Sequence, residues 1–99
     1  MTKLIERDKK RRYLVASHEK KRTILKSVVF NTCLKLNARW KAGLELSSFP
    51  KNSSKTRITN RCVLTGRSRG VDRNFRISRI CLRDLAGSGH IPGLRKSSW

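Results

Sequence analysis

The chain has 99 residues, with 25 Lys or Arg against 6 Asp or Glu, a formal charge of +19, and 36% hydrophobic residues. That length allows one small domain at most, and so little apolar content gives only a thin core. Self-repulsion of this size opposes compaction unless an anion shares the space, so a polyanion, nucleic acid first, is the expected partner.

The first predicted element is a helix from Thr2 to about Phe30, free of Gly and Pro and rich in Lys, Arg, Glu and Leu. Leu4, Leu14, Val15, Leu25 and Val29 fall on one side of it, and Arg7, Arg11 and Arg22 share that side. A helix on a protein core would not place arginines in its apolar stripe, whereas a helix lying against RNA accommodates them. Lys9, Lys10, Arg11 and Arg12 are the densest charge block and candidate phosphate contacts. A solvated tail and a nuclear-localisation signal are the competing readings of such a run.

A second, shorter helix is predicted over about Leu34 to Leu46. Leu36, Trp40 and Leu44 recur every four residues on one face, which makes Trp40 a packing anchor before a base-stacking platform. Cys33, among apolar residues, is expected as a small buried hydrophobe. The stretch SSFPKNSS ends the helix. Phe49 must be extended before Pro50. Lys51, Ser53 and Ser54 then offer a charge and short hydroxyl donors to phosphate.

Arg57 to Leu64 alternates with period two, so a short strand or extended arm is predicted there. Thr65 to Gly70 is a loop whose glycines are free to adopt positive φ. Phe75 and Ile77 lead into a third helix with Ser78 as N-cap and Gly87 and Gly89 at its end. Ile80, Cys81, Leu82 and Leu85 form its apolar side. Arg76, Arg79 and Arg83 line one face. Ile91-Pro92-Gly93 is a turn, and Arg95 to Trp99 a basic tail ending in an aromatic residue.

From Asn60 to Trp99 there are nine basic residues, eight of them arginine, against only Asp72 and Asp84. Arginine contacts phosphate with a planar fork and stacks on exposed bases, which suits folded RNA. Arg57, Arg61, Arg67, Arg69, Arg73, Arg76, Arg79, Arg83, Arg95 and Lys96 are therefore candidate RNA contacts, with Trp99 stacking or packing at the terminus.

The same stretch contains two matched frames, Cys62-Val-Leu-Thr65 and Ser78-Arg-Ile-Cys81, separated by twelve residues. They outline a paired Cys-x-x-Cys zinc knuckle with two ligands replaced by neutral hydroxyls, which are poor zinc ligands. His18 and His90 lie outside the frames, so no metal and no other cofactor is expected. Thr65 and Ser78 are expected to hydrogen-bond local backbone. Three cysteines do not make a disulfide framework and fit a reducing compartment. The isolated histidines have no partner spacing for catalysis, so the chain is not expected to be an enzyme and no small-molecule substrate is expected. The longest apolar runs, Tyr13 to Ala16 and Val28 to Phe30, fall far short of the roughly 20 residues a membrane span needs. No secretory signal is expected, nor an organelle presequence, because Glu6 and Asp8 fall where such a peptide avoids acids.

Asn60-Arg61-Cys62, Thr65-Gly66-Arg67, Phe75, Ser78-Arg79-Ile80, Arg83 and the ending from Ile91 to Trp99 closely resemble the small-subunit ribosomal protein fourteen family of the universal bacterial type. Arg39-Trp40 and LSSFPKNSS extend the resemblance upstream. It is strongest from about residue 47, and the first thirty residues match in character more than in sequence. The resemblance implies a structural protein that binds small-subunit ribosomal RNA in the head of the particle near the decoding region. It also implies a role in head assembly and contacts with neighbouring head proteins. The family has a four-cysteine zinc form and a longer zinc-free form with a helical extension; this chain resembles the longer one. Arg76 after Phe75 and the FRISRI and SSW segments resemble mitochondrially encoded members, which places the expected particle in the mitochondrial matrix, with chloroplast stroma or bacterial cytoplasm as alternatives.

The expected fold is mainly α with irregular segments. It comprises a basic helical N-terminal extension over 1–55, including a second short helix, and a compact arginine-rich RNA-binding module over 56–99. That module is zinc-ribbon-like without metal, and its shape is completed on RNA. The competing function is a free-standing nucleic-acid-binding regulator on a degenerate zinc ribbon. A cationic membrane-surface peptide would need an uninterrupted apolar face, which the arginines of the first helix deny it.

Overall fold

A computed structural model of the chain describes residues 2–98, with side chains from residue 3 onward. Trp99, expected to stack or pack at the terminus, lies outside the described residues. Helix α1 spans Thr2–Phe30, α2 spans Leu36–Ser48 and α3 spans Arg79–Gly87. Two single 3-10 turns, Lys51–Ser53 and Lys55–Arg57, follow α2. The chain is thus mainly helical, as its sequence implies.

Nothing in its sequence interrupts α1 until Asn31, whose side-chain oxygen accepts the N–H of Cys33 at 3.0 Å and closes a turn. Helix α2 lies two residues later at each end than its apolar spacing indicates. The Ser47 and Ser48 hydroxyls donate to the carbonyls of Leu44 and Glu45, and these serines carry the helix up to Phe49. Phe49 is extended, with φ −68° and ψ 151°, as a residue before proline must be.

The chain divides into two units. The unit Arg7–Ile58 is a helical hairpin. Arg39 Nε donates to the Val29 carbonyl at 2.9 Å near the turn, and the His18 and Phe49 rings meet edge-on at 5.5 Å further along. Arg22 reaches from α1 to the Ser53 hydroxyl at 3.1 Å. The helices therefore meet through long side chains rather than by close backbone approach. The arginine in the apolar stripe has a simpler explanation here than RNA: Arg22 is turned onto its own chain. Trp40 is not the packing anchor its spacing suggested. Ala42 is buried, Arg39 is half-buried, and Trp40 is left 69% exposed. Cys33 is also exposed, because it falls in the turn between the helices rather than on a helix face.

The second unit contains residues 59–98 and the first residues of the chain. No strand forms over Arg57 to Leu64. Arg57 ends a 3-10 turn, and the N–H groups of Cys62 and Val63 donate to loop carbonyls, Arg67 at 2.8 Å and Arg76 at 3.1 Å. The alternating pattern lacks a neighbouring strand to pair with; the β pairing among the described residues is the isolated bridge Val71 to Ser78. Helix α3 begins where its sequence places it, with the Ser78 hydroxyl accepting the Cys81 N–H at 3.3 Å.

The buried apolar residues are Val15, Ala42, Cys62 and Ile77, and 8497 Å² of surface stays accessible. A compact protein of 11.4 kDa exposes about 5,800 Å² by the usual mass scaling. This chain hides too little of itself for burial alone to account for its stability.

Candidate nucleic-acid interface

The C-terminal unit is organised around Cys62, which is fully buried; Ile77 and Ser78 are buried in the same unit. The loop from Cys62 closes on itself. Gly66 N–H donates to the Cys62 carbonyl at 2.9 Å, with Gly66 at φ 73°, a conformation that favours glycine. Thr65 N–H points at the Cys62 sulfur at 3.5 Å. The N–H groups of Leu64 and, from the other frame, Ser78 also face it. The two four-residue frames are therefore brought together by donors converging on one sulfur.

That arrangement changes the acidity of the thiol. Burial opposes ionisation, but the donors of Thr65, Ser78 and Leu64 outweigh it and lower Cys62 from 9.0 to about 6. The sulfur has no accessible surface, so burial is the largest single influence, and only the donors acting together overcome it. The Thr65 hydroxyl, buried without a formed hydrogen bond of its own, is the largest of the influences that favour the thiolate, ahead of the N–H groups of Thr65, Ser78 and Leu64. Ser78 bonds local backbone as expected; the Thr65 hydroxyl does not.

The frames do not fit zinc. The Ser78 oxygen caps α3, Thr65 supplies a neutral hydroxyl, and the thiols at the frame positions are Cys62 and Cys81 alone. Among the described residues no cluster of three or more His, Cys, Asp or Glu could hold a metal ion.

Around this frame the arginines stand outward. Arg67, Arg69, Arg73, Arg76, Arg79, Arg83, Arg95 and Lys96 are all exposed, and none pairs with a carboxylate among the described residues. Gly70, at φ 61°, lets the loop pass 3.4 Å from the Arg79 side chain, measured to a Cβ that glycine lacks. Arg76 also has positive φ, 58°, which is unusual for a residue with a side chain. Its N–H and carbonyl are both engaged, to Asp72 at 2.8 Å and from Val63 at 3.1 Å, so the loop holds it there. Arg79, Arg83, Arg95 and Lys96 line an open cleft of about 550 Å³ between α3 and the C-terminal segment, with Leu82 and Leu94 in its floor. Cations over an apolar floor suit a nucleotide, phosphate to the rim and base to the floor.

Other expected contacts are distributed unevenly. Lys9, Lys10, Lys51 and Arg57 are exposed. Arg12 is exposed but bonded to Asp8 at 2.7 Å, and Arg11 is half-buried. Arg61 is half-buried and donates to the Gly66 carbonyl at 2.8 Å, bracing the loop. Ser54 is half-buried and shares a hydrogen bond with Thr56 at 2.8 Å. Ser53 is a correction: it is 1% exposed, donates to the Pro50 carbonyl and accepts from Arg22, so its hydroxyl cannot reach phosphate. Sequence reasoning passed over Tyr13. It is 75% exposed and lines a shallow surface with Lys9 and Lys10, three and four residues before it on α1. An aromatic one helical turn from paired lysines is the signal that would have found it.

This fold and surface define a class: a small basic protein with a thin core and a row of exposed cations unpaired among the described residues. The ribosomal protein S14p/S29e family model matches residues 45–98. The small ribosomal subunit protein uS14 of Rhizobium meliloti is 49% identical over 98 residues, covering 99% of this chain and 97% of that protein. That of Sinorhizobium medicae is equally similar. That of Dinoroseobacter shibae is 51% identical over 96 residues, covering 97% and 95%. The chain belongs to the S14p/S29e family of ribosomal proteins.

Proposed function

We infer that the chain is a structural constituent of the small ribosomal subunit, an rRNA-binding protein rather than an enzyme. The observation that carries this is the exposed, unpaired row from Arg67 to Lys96, set on loops and a capped helix around a buried frame. A soluble globular protein would pair or disperse such charge; a phosphate-binding one leaves it free. Full-length similarity to uS14 proteins names the particle in which that surface would act.

The finer reading follows from the same residues. The module over 56–99 keeps the outline of a zinc ribbon, with hydrogen bonds to Cys62 in place of metal, and binds RNA in the head of the subunit near the decoding region. The extension over 1–55 lies along RNA through Lys9 and Lys10 and completes its packing there, because its own core is thin. Neighbouring head proteins are its other partners. The compartment we assign is the mitochondrial matrix, on the resemblance of FRISRI and SSW; the relatives matched are bacterial, and a bacterial-type ribosome is common to both settings.

Sedimentation of a native extract tests this. The chain should travel quantitatively with the small subunit and protect defined nucleotides of its rRNA from cleavage. Its affinity should fall steeply with salt. A chain that stays at the top of the gradient, or that binds any polyanion equally with no protected nucleotides, would support the free-standing regulator instead. Fractionating the source cell for mitochondria settles the compartment.

A further inference from the structure

We propose that the outward face of α2, formed by Leu36, Trp40 and Leu44, docks into an apolar groove, rimmed by carboxylates, on a neighbouring protein of the same particle. The proposal rests on the ribosomal reading above and adds the surface and the chemistry of the partner.

The three side chains are 73%, 69% and 56% exposed. They recur every fourth residue, so they stand one above another over about 12 Å of helix. The face cannot simply roll inward. Ala42 is buried on the other side of the helix, and Arg39 is fastened to the Val29 carbonyl at 2.9 Å. An exposed tryptophan flanked by two leucines is the composition of a binding anchor rather than of ordinary surface.

Charge decides what covers it. Between Asn37 and Pro50 the cations are Arg39 and Lys41, and Glu45 opposes them. Arg39 is occupied within the hairpin, which leaves Lys41 beside Trp40 and Lys35 at the helix start. The three residues of the face carry no charge, and two free lysines against Glu45 are few on a chain of +19, while phosphate contact depends on cations. RNA is therefore a poor match for it. A second copy is poorer still, because docking would bring two strongly positive chains together. A protein groove matches the apolar centre, and carboxylates at its rim match Lys35 and Lys41.

The substitution Leu44→Arg separates these partners, since arginine weakens an apolar contact but strengthens an RNA contact. Position 44 is exposed, so the helix should form normally, which circular dichroism checks. Full-length wild type and variant are titrated against naked small-subunit rRNA, then against the same rRNA preloaded with the other small-subunit proteins. The expected result is equal affinity for naked rRNA within about two-fold, with the gain from preloading reduced at least ten-fold in the variant. In parallel, photoleucine at position 36 should crosslink to one small-subunit protein and not to RNA. Crosslinking to RNA, an unchanged gain from preloading, or a wild-type dimer abolished by Leu44→Arg would each overturn the proposal. Wild type that binds no rRNA would overturn the ribosomal reading itself, and this proposal with it.

Discussion

The hairpin of Arg7–Ile58 and the unit from residue 59 onward are both strongly basic, but they use arginine in opposite ways. In the hairpin, arginines act as struts. Arg22 reaches Ser53 and Arg39 reaches the Val29 carbonyl, while lysines such as Lys9 and Lys10 face solvent. In the C-terminal unit the backbone is the strut. Amides converge on Cys62 and on loop carbonyls, and apart from Arg61, which braces the loop at the Gly66 carbonyl, the arginines are left free outside. With so little core, each unit needs a polar substitute for it, and the choice of substitute decides which cations remain available to RNA.

The contrast should break first at the free arginines. Replacing Arg67, Arg69 and Arg73 together by Ala should weaken rRNA binding by roughly 100-fold and lower the salt slope by about three, with the fold retained. Replacing Lys9 and Lys10 should reduce the slope by no more than about two. Filter binding across a salt series reads both, and equal losses would erase the distinction between the units.

The next effect concerns the backbone strut. Cys62→Ala removes the acceptor on which several amides converge and leaves a small void, so it should cost about 2–3 kcal/mol. Denaturant melts should show that loss, while far-ultraviolet dichroism shows the long helix intact. Arg22→Ala, on the hairpin side, should cost about 1–2 kcal/mol, because it leaves the buried Ser53 hydroxyl short of a partner.

Cys62 also makes the C-terminal unit sensitive to pH. Its folded value, about 6, lies below its ordinary 9.0. Thiolate stabilisation is therefore complete above about 9, shrinks as pH falls, and is lost below about 6. The stability of wild type relative to Cys62→Ser should rise across that window, and thiolate absorbance of the folded chain should titrate near its lower edge. A midpoint near 9 would show that the amides do not hold a thiolate.

The smallest expected effect has two signs. Arg76 sits at φ 58°, so Arg76→Gly should stabilise the isolated protein by about 1 kcal/mol. The same change removes an exposed cation and should lower the rRNA salt slope by about one. A gain in stability with no change in slope would make Arg76 a strained bystander.

Much of this was legible in the sequence because it depends on local chemistry. The absence of Gly and Pro gave α1, Ser78 gave the start of α3, Phe49-Pro50 gave the end of α2, and glycine gave the loop at Gly66. The errors have one source. Periodicity shows which residues share a face but not which way that face points. Leu36, Trp40 and Leu44 do share a face, yet it is turned outward. Arg57 to Leu64 does alternate, yet among the described residues no second strand is present to pair with it. Ser53 is a turn serine, as expected, but an arginine thirty-one residues away claims its hydroxyl.

By itself, then, the sequence determined the charge, the helices, the loop glycines and the two frames around Cys62, since these follow from composition and from neighbours within one turn. Only the tertiary structure decided which cations are free, which way Trp40 faces, and that amides converge on the Cys62 sulfur. Those are facts of direction and distance between residues far apart in the chain, and local propensity carries no information about them.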